Sequence, residues 1–278
     1  MWDPRQYALF GGHRGRPFAD LLAHVDAASP RLVVDLGCGD GPLTLGLAER
    51  WPDARVVGLD SSAEMLQAAR DRDSASRVEW LQTRAEEWVP ASLGAPIDVL
   101  VTNATLQWVP GHLDLIPGWV DALAPDGWFA LQVPSNFEAP SHVLMREVAA
   151  RHARAADLAP GLQRAVAVGK PASYLGALSA LGLAVDVWET TYQHVLDPDA
   201  SQRSPVLEWV RGTGLRPVLE VLTDEAERED FLQDYVHELD RAYPRQPFGV
   251  VLPFSRIFAV GHKPEGAGGR SASVGQPQ

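Results

Sequence analysis

Cysteine is almost absent from this chain of 278 residues, and its scarcity excludes two kinds of structural cross-link. The single cysteine, Cys38, cannot form a disulfide within the chain. Because there is no Cys-x-x-Cys pair, a structural zinc site is not expected. The eight histidines do not form a His-x-x-x-His pair either. The sequence therefore predicts no metal site.

Long apolar runs and an excess of positive charge are also lacking. No segment is apolar over the roughly 20 residues that a membrane-spanning helix needs, and no apolar signal segment follows Met1. The chain has 24 Lys and Arg against 36 Asp and Glu, a formal net charge of −12. This charge does not favour binding to nucleic acid or to an anionic membrane. We therefore expect a cytoplasmic protein with neither of these as a partner.

Glycine is concentrated where a buried strand is predicted to end. The apolar run from Leu32 to Leu36 is followed by glycines at alternate positions, Gly37, Gly39 and Gly41. Alternate glycines permit positive φ and let a ligand approach the backbone closely. A helix starting at Pro42 would point its N-terminal N–H groups at that ligand. A Rossmann dinucleotide site would place its third glycine later, so this Asp-x-Gly-x-Gly-x-Gly pattern instead resembles motif I of the class I S-adenosylmethionine (SAM) methyltransferases.

A second acidic residue ends the next predicted strand. The strand from Val56 ends at Asp60, about one strand-and-helix unit after the glycine turn, where a ribose would lie. A carboxylate there accepts from both ribose hydroxyls and repels a 2′-phosphate, which argues against NADP. Ser61 and Ser62 then begin a helix, and the pattern up to Met65 resembles the same family, with Met65 against adenine. Taken singly, Asp60 also fits a helix cap and Met65 a core residue, but the upstream glycine turn favours a cofactor site.

The segment after the fourth predicted strand offers a site for the methyl acceptor. Asn103, Ala104, Gln107 and Trp108 follow the carboxyl end of a strand expected to lie beside the first. Open α/β sheets bind their ligands at this edge. An amide, small residues and an aromatic ring suit the place where a methyl group leaves its donor. The alternative is a turn with a packing tryptophan.

The alternation of apolar strands and amphipathic helices predicts an α/β protein with a doubly wound, mostly parallel sheet of seven strands and a helical cap. Residues 1–15 contain too much glycine for a long helix, and helical spacing starts at Arg16. The expected divisions are an aromatic segment and helix over the site (1–30), the cofactor-binding core (31–134), a helical insertion (135–170), a core helix and strand (171–193), the cap (194–247), the last strand (248–263) and a disordered tail (264–278).

Up to about His262, the chain resembles the trans-aconitate methyltransferase family within class I. The resemblance rests on motif I and on several further segments: Trp2-Asp3-Pro4 with Tyr7, Arg14 to Pro17, Gly58 to Ser62, Asn103 to Trp108, His142 to Glu147, Thr190 to Tyr192 and Thr213 to Pro217. It implies a monomeric enzyme that uses SAM to methylate a carboxylate of a small acid. A carboxylate is ionised at neutral pH, so no general base is needed and no catalytic residue is expected beyond groups that position the reactants.

The motifs and the resemblance together predict two sets of contacts. The expected SAM contacts are Asp35, Gly37, Cys38, Gly39, Asp60, Ser61, Met65, Ala85, Asn103 and Ala104. The expected contacts to the carboxylate substrate are Tyr7, Arg16, Gln107, Trp108, Arg146, Tyr192, Arg216 and Arg256, because Arg binds carboxylates through two parallel hydrogen bonds. One position departs from the family: Arg84 stands where an acidic residue commonly accepts from adenine. Arginine has no acceptor atom, so the Ala85 backbone or Glu86 is expected to take this role.

Three other functions compete with this interpretation. Malonyl-carrier-protein methyltransferases resemble the chain at motif I, but a net charge of −12 does not favour an acidic carrier. A non-catalytic SAM-binding module would not need the segment from Asn103 to Trp108. Methylation of a flipped nucleic-acid base is disfavoured because this segment is not Asn-Pro-Pro-aromatic.

Overall fold

A computed structural model describes residues 11–163 and 168–265 of the chain. Its strands are β1 (Leu32–Leu36), β2 (Arg55–Asp60), β3 (Val78–Gln82), β4 (Ile97–Asn103), β5 (Leu123–Pro134), β6 (Ala184–Leu196) and β7 (Val250–His262). Its α-helices are α1 (Gly11–Leu22), α2 (Pro42–Arg50), α3 (Ala63–Arg72), α4 (His112–Asp121), α5 (Pro140–Arg151), α6 (Ala155–Gln163), α7 (Pro171–Ala180), α8 (Pro205–Arg211), α9 (Arg216–Val221) and α10 (Glu225–Ala242). No helix in these two ranges is both long and apolar enough to span a membrane.

The strands form one seven-stranded sheet in the order β3-β2-β1-β4-β5-β7-β6. Neighbours from β3 to β5 pair in parallel, whereas β7 runs antiparallel to both β5 and β6. The strand order reverses at β1, and ligands bind beside the carboxyl ends of strands at such a point. The predicted doubly wound sheet is therefore confirmed, and its glycine turn lies at the reversal.

Each face of the sheet carries its own apolar cluster. On one face, Phe18 and Leu21 of α1 and Leu47 of α2 pack with Val33 and Phe258. We call this the α1 face. The other face is covered by α4 and α7 through residues such as Trp119 and Tyr174. A third cluster joins helices α5, α6, α8, α9 and α10 to the ends of β6 and β7. This third cluster is the core of the predicted helical cap.

The ends of several elements differ from the predictions. Helix α1 starts at Gly11 and continues through Pro17, although the glycine content predicted no regular helix before Arg16. Phe18 and Leu21 are buried on the sheet, and this packing outweighs poor helix propensity. Strand β7 starts two residues later and ends one residue earlier than the predicted range 248–263, and it pairs with β6 along its whole length. The predicted segment around Tyr7 and most of the predicted tail lie outside the described residues.

Candidate active site

A cavity of about 700 Å³ opens at the carboxyl ends of β1, β2 and β4. The ten residues predicted to contact SAM all line it: Asp35, Gly37, Cys38, Gly39, Asp60, Ser61, Met65, Ala85, Asn103 and Ala104. Helix α1 adds Gly15 and Phe18 from above. The residues that sequence patterns assigned to one ligand thus lie around one cavity, and their binding roles stay predictions.

The glycine turn has the backbone geometry that its sequence predicts. Gly37 has φ +86° and Gly39 has φ +57°, values that residues with a Cβ seldom adopt. The N–H groups of Gly37 and Cys38 both donate to the Leu59 carbonyl, at 2.7 and 3.0 Å, which ties the turn to β2. A Cβ on Gly37 would lie 2.0 Å from Thr105 Oγ1, whereas one on Gly39 would meet no atom within 4 Å. The turn is therefore crowded against Thr105 at Gly37 and open at Gly39.

Asp60 connects this turn to the start of α3. One carboxylate oxygen accepts from the Gly39 N–H at 2.9 Å, and the other accepts from the Ser62 N–H at the same distance. Ser62 in turn accepts from the Met65 N–H and caps the helix. A carboxylate has about four lone-pair directions, so both oxygens keep acceptor capacity towards the cavity. This geometry fits two ribose hydroxyls in addition to the two backbone N–H groups from which Asp60 already accepts.

Replacing Asp60 with alanine is expected to weaken SAM binding by about 1–3 kcal/mol, because ribose hydroxyls and two backbone donors lose their acceptor. Calorimetric titration with SAM measures the change. Ser62→Ala is the matched control, since it removes the cap bond to Met65 but leaves both Asp60 oxygens in place. Equal SAM affinities for Asp60→Ala and the parent would refute the ribose role.

Asp35 lies at the buried end of β1 and lines the cavity. Burial raises the pKa of its carboxyl group to about 7, with a smaller raising effect from Asp60, against the lowering effect of the hydrogen bond from Thr44. Thr44 Oγ1 donates this bond at 2.6 Å. The side chain therefore changes charge near neutral pH, and a cationic ligand would favour its ionised form.

The raised pKa of Asp35 predicts a pH dependence of stability. Between about pH 4 and about pH 7 the folded protein holds a proton that the unfolded chain releases, so stability without ligand should fall as pH rises through this window. Asp35→Asn should reduce that fall, since its amide oxygen still accepts from Thr44 and carries no charge. Urea denaturation of the ligand-free proteins at about pH 5 and about pH 8 measures the difference. The same fall in parent and variant would show that Asp35 does not cause it.

The predicted adenine end of the cavity contains Met65, Ala85 and the unusual Arg84. Arg84 forms ion pairs with Glu86 at 3.1 Å and Glu87 at 3.7 Å. Its guanidinium is thus engaged by neighbouring carboxylates. Glu86 lines the cavity as well. The role of the Ala85 backbone or Glu86 as the acceptor for adenine stays a prediction.

The residues predicted to contact substrate fall into three groups. Trp108 and Arg216 line the cavity, and Trp108 is half exposed there. Gln107 folds back so that its amide donates to the Ala104 carbonyl, and Arg146 donates to the Phe137 carbonyl beside Glu138. Neither Gln107 nor Arg146 lines the cavity. Tyr7 lies outside the described residues.

The third group comprises Arg16 on α1 and two residues of the antiparallel strands, Tyr192 and Arg256. Arg256 is buried and donates to Gln132 Oε1 at 3.1 Å. Tyr192 is buried, and its hydroxyl donates to Asp20 of α1 at 2.6 Å. Burial and this bond raise the pKa of Tyr192, so it stays a protonated donor. Arg16 is exposed and lies over the Tyr192 ring. None of these three residues lines the cavity.

Sequence reasoning missed several residues at or next to the site, among them Asp40, Arg72 and Gln132. Asp40 and Arg72 both line the cavity and form an ion pair at 2.9 Å. Gln132 is completely buried at the carboxyl end of β5. An amide within the otherwise apolar strand from Phe129 to Val133 was the available signal for Gln132. Residues Asp40 and Arg72 are far apart in sequence, and no local pattern joins them.

Comparison with known proteins supports the interpretation of this geometry. A family model described as "Methyltransferase domain" matches residues 33–127. The trans-aconitate 2-methyltransferases of Streptomyces coelicolor and Streptomyces avermitilis are 50% and 51% identical, over 96% and 94% of this chain and 88% and 97% of theirs. A solved structure of Haemonchus contortus phosphoethanolamine N-methyltransferase 2 with SAM shares the fold, with a TM-score of 0.52 and 16% identity over 90% of this chain and 52% of that chain. The chain belongs to the trans-aconitate 2-methyltransferase family of class I SAM-dependent methyltransferases.

Proposed function

We propose that the protein transfers the methyl group of SAM to a carboxylate of trans-aconitate and forms a methyl ester. The relatives named for this activity match the chain over almost its whole length. The observation that carries the proposal is a buried guanidinium next to the cavity. Arg256 bonds to Gln132, and the Gln132 carbonyl accepts from the N–H of Ala104, which lines the cavity.

The buried cation matters for binding an acidic acceptor because the chain as a whole has a net charge of −12. An acidic acceptor approaching such a protein is repelled unless cations are concentrated where it binds. Arg256 on the α1 face and Arg216 in the cavity wall provide such cations on two sides. Arg forks match carboxylates through paired hydrogen bonds, so both suit an acceptor with several carboxylates.

Different residues of the cavity would bind the cofactor, orient the acceptor and exclude water. The glycine turn and Asp60 would hold the cofactor, and ionised Asp35 would face its positive charge. When bound, SAM supplies an electrophilic methyl group on a sulfonium. The acceptor carboxylate is the nucleophile and is already ionised at neutral pH, so this chain's side chains need only orient it and exclude water. Phe18 and Trp108 provide apolar surface at the mouth.

A methyl-transfer screen tests the proposal. Purified protein is incubated with SAM carrying a labelled methyl group and a set of small di- and tricarboxylic acids, and base-labile methyl esters are counted. We expect trans-aconitate to be the best acceptor. Ester formation on a malonyl-carrier protein but on no free acid would overturn the proposal.

Two accompanying expectations belong to the same proposal. The family resemblance supports a monomeric enzyme, and the cytoplasm is its expected location. Light scattering of the purified protein measures the first, and fractionation of the source cells measures the second. Neither result bears on the chemistry of the site.

A further inference from the structure

A row of polar side chains crosses the α1 face at the carboxyl edge of the sheet. Its members are Asp35 on β1, Asn103 on β4, Gln132 on β5 and Arg256 on β7. Side chains two residues apart in a strand share a face. Val33, Val101, Ala130 and Phe258, each two residues from a member of the row, all belong to the apolar cluster of the α1 face. The row therefore leads from the predicted cofactor cavity towards the antiparallel strands.

Asp35 and Asn103 line the cavity, whereas Gln132 and Arg256 extend the row beyond it. Asn103 and Gln132 are register partners on the adjacent strands β4 and β5. Gln132 and Arg256 are joined by the hydrogen bond from Arg256 Nη1. If the cofactor occupies the cavity above β1 and β2, the part beside Asn103 and Ala104 is left for the acceptor. Gln132 lies next to this part, because its carbonyl accepts from the Ala104 N–H.

Like Asn103, whose Oδ1 has no hydrogen-bond partner among the described residues, Gln132 has incomplete hydrogen bonding. It is completely buried, and its Oε1 accepts from Arg256 at 3.1 Å. This bond fixes the orientation of the amide, because arginine can only donate. Its Nε2 is buried and has no hydrogen-bond partner among the described residues. Buried donors are nearly always paired in folded proteins, so Nε2 has the capacity to donate to an acceptor atom that a ligand brings.

We propose that Gln132 determines acceptor specificity by donating a hydrogen bond from Nε2 to an acceptor carboxylate that is not methylated, beside the guanidinium of Arg256. This inference rests on the proposed function, since it requires an acceptor with more than one carboxylate. A neutral amide donor and a cation together match a carboxylate, whose two oxygens accept from both. The same pair discriminates against an acceptor that lacks this carboxylate, because the amide would again be unpaired.

Gln132→Met tests the inference, because methionine has similar length and no donor. We expect the KM for trans-aconitate to rise about tenfold, the effect of losing one hydrogen bond to a charged group, while the Kd for SAM changes less than about twofold. Gln132→Glu should raise the KM further, since a carboxylate there repels the acceptor and neutralises Arg256. Melting temperatures are recorded for every variant.

Thr102→Val is the matched control. Thr102 is the neighbour of Asn103 on β4. Like Gln132, it is completely buried and has a side-chain atom, its hydroxyl oxygen, with no hydrogen-bond partner among the described residues. Its side chain lies on the opposite face of the sheet, because alternate residues point to opposite faces. Removing this hydroxyl should leave the KM for trans-aconitate and the Kd for SAM unchanged.

Competitive inhibitors separate a direct contact from general damage. The three dicarboxylates that lack one carboxylate of trans-aconitate are tested against parent and Gln132→Met. The inhibition constant of at least one should be unaffected by the substitution, since it lacks the carboxylate that Gln132 binds. Equal losses for all three, or an unchanged KM for trans-aconitate, would overturn the inference. A parent protein that does not methylate trans-aconitate would instead overturn the proposed function, so the two failures are distinguishable.

Discussion

Gly37→Ala is expected to lower the free energy of unfolding by about 2–5 kcal/mol. A left-handed backbone costs a residue with a Cβ about 1–2 kcal/mol, and forcing an extra methyl group into a packed site adds about 1–3 kcal/mol. Both effects apply here, because Gly37 has φ +86° and its Cβ would lie 2.0 Å from Thr105. Urea denaturation of the ligand-free protein measures the loss.

Gly39→Ala is the control for this prediction. Gly39 also has positive φ, but a Cβ there would meet nothing within 4 Å. Only the backbone strain of about 1–2 kcal/mol should appear in the unfolding experiment. Because Gly39 lines the cavity, its alanine variant should nevertheless bind SAM more weakly. If the two variants lose equal stability, the crowding at Thr105 does not matter energetically.

Arg256→Met is expected to reduce kcat/KM for trans-aconitate at least about tenfold, because a charge-assisted hydrogen bond to the acceptor is worth roughly 1.5–3 kcal/mol. The Kd for SAM should barely change, since the groups predicted to bind it lie at the glycine turn and Asp60. Steady-state kinetics and SAM titration are measured on the same preparation.

Substitutions of three other arginines serve as comparisons for the loss of kcat/KM expected in Arg256→Met. Arg216 lines the cavity, so Arg216→Met should also reduce kcat/KM. Arg16 is exposed, and Arg146 is engaged by the Phe137 carbonyl and Glu138. Their substitutions should therefore have small effects. If all four variants methylate trans-aconitate like the parent, cations do not select the acceptor, and a neutral or carrier-bound acceptor becomes the better interpretation.

The residues that the sequence assigns to the cofactor lie around one cavity, and they could be grouped because their signals are local. The glycines, Asp60 and Ser62 occur within short segments whose backbone requirements determine the residue types. Helix α3 begins at Ala63, directly after the predicted serine pair, because Ser62 caps it. These elements could be interpreted without knowledge of the strand order.

The acceptor side could not be predicted in the same way. The contact between Gln132 and Arg256 depends on β7 inserting antiparallel between β5 and β6, which no local pattern specifies. The place of Pro253 within β7 also depends on the strand order. Pro253 lies where β7 pairs with β6 alone and the pairing with β5 has ended, a position where a missing N–H is tolerated.

The pairing of β6 with β7 has a consequence for how this enzyme could diversify. Leu196, the last residue of β6, is the register partner of Val250, the first residue of β7. The segment of helices α8 to α10 thus leaves the sheet and returns to it at neighbouring positions. Such a segment can be lengthened, shortened or exchanged without moving the strands that hold the glycine turn. Natural selection or protein engineering could therefore change helices α8 to α10 to suit a new acid. The strands and the glycine turn on the cofactor side of the enzyme would stay unchanged.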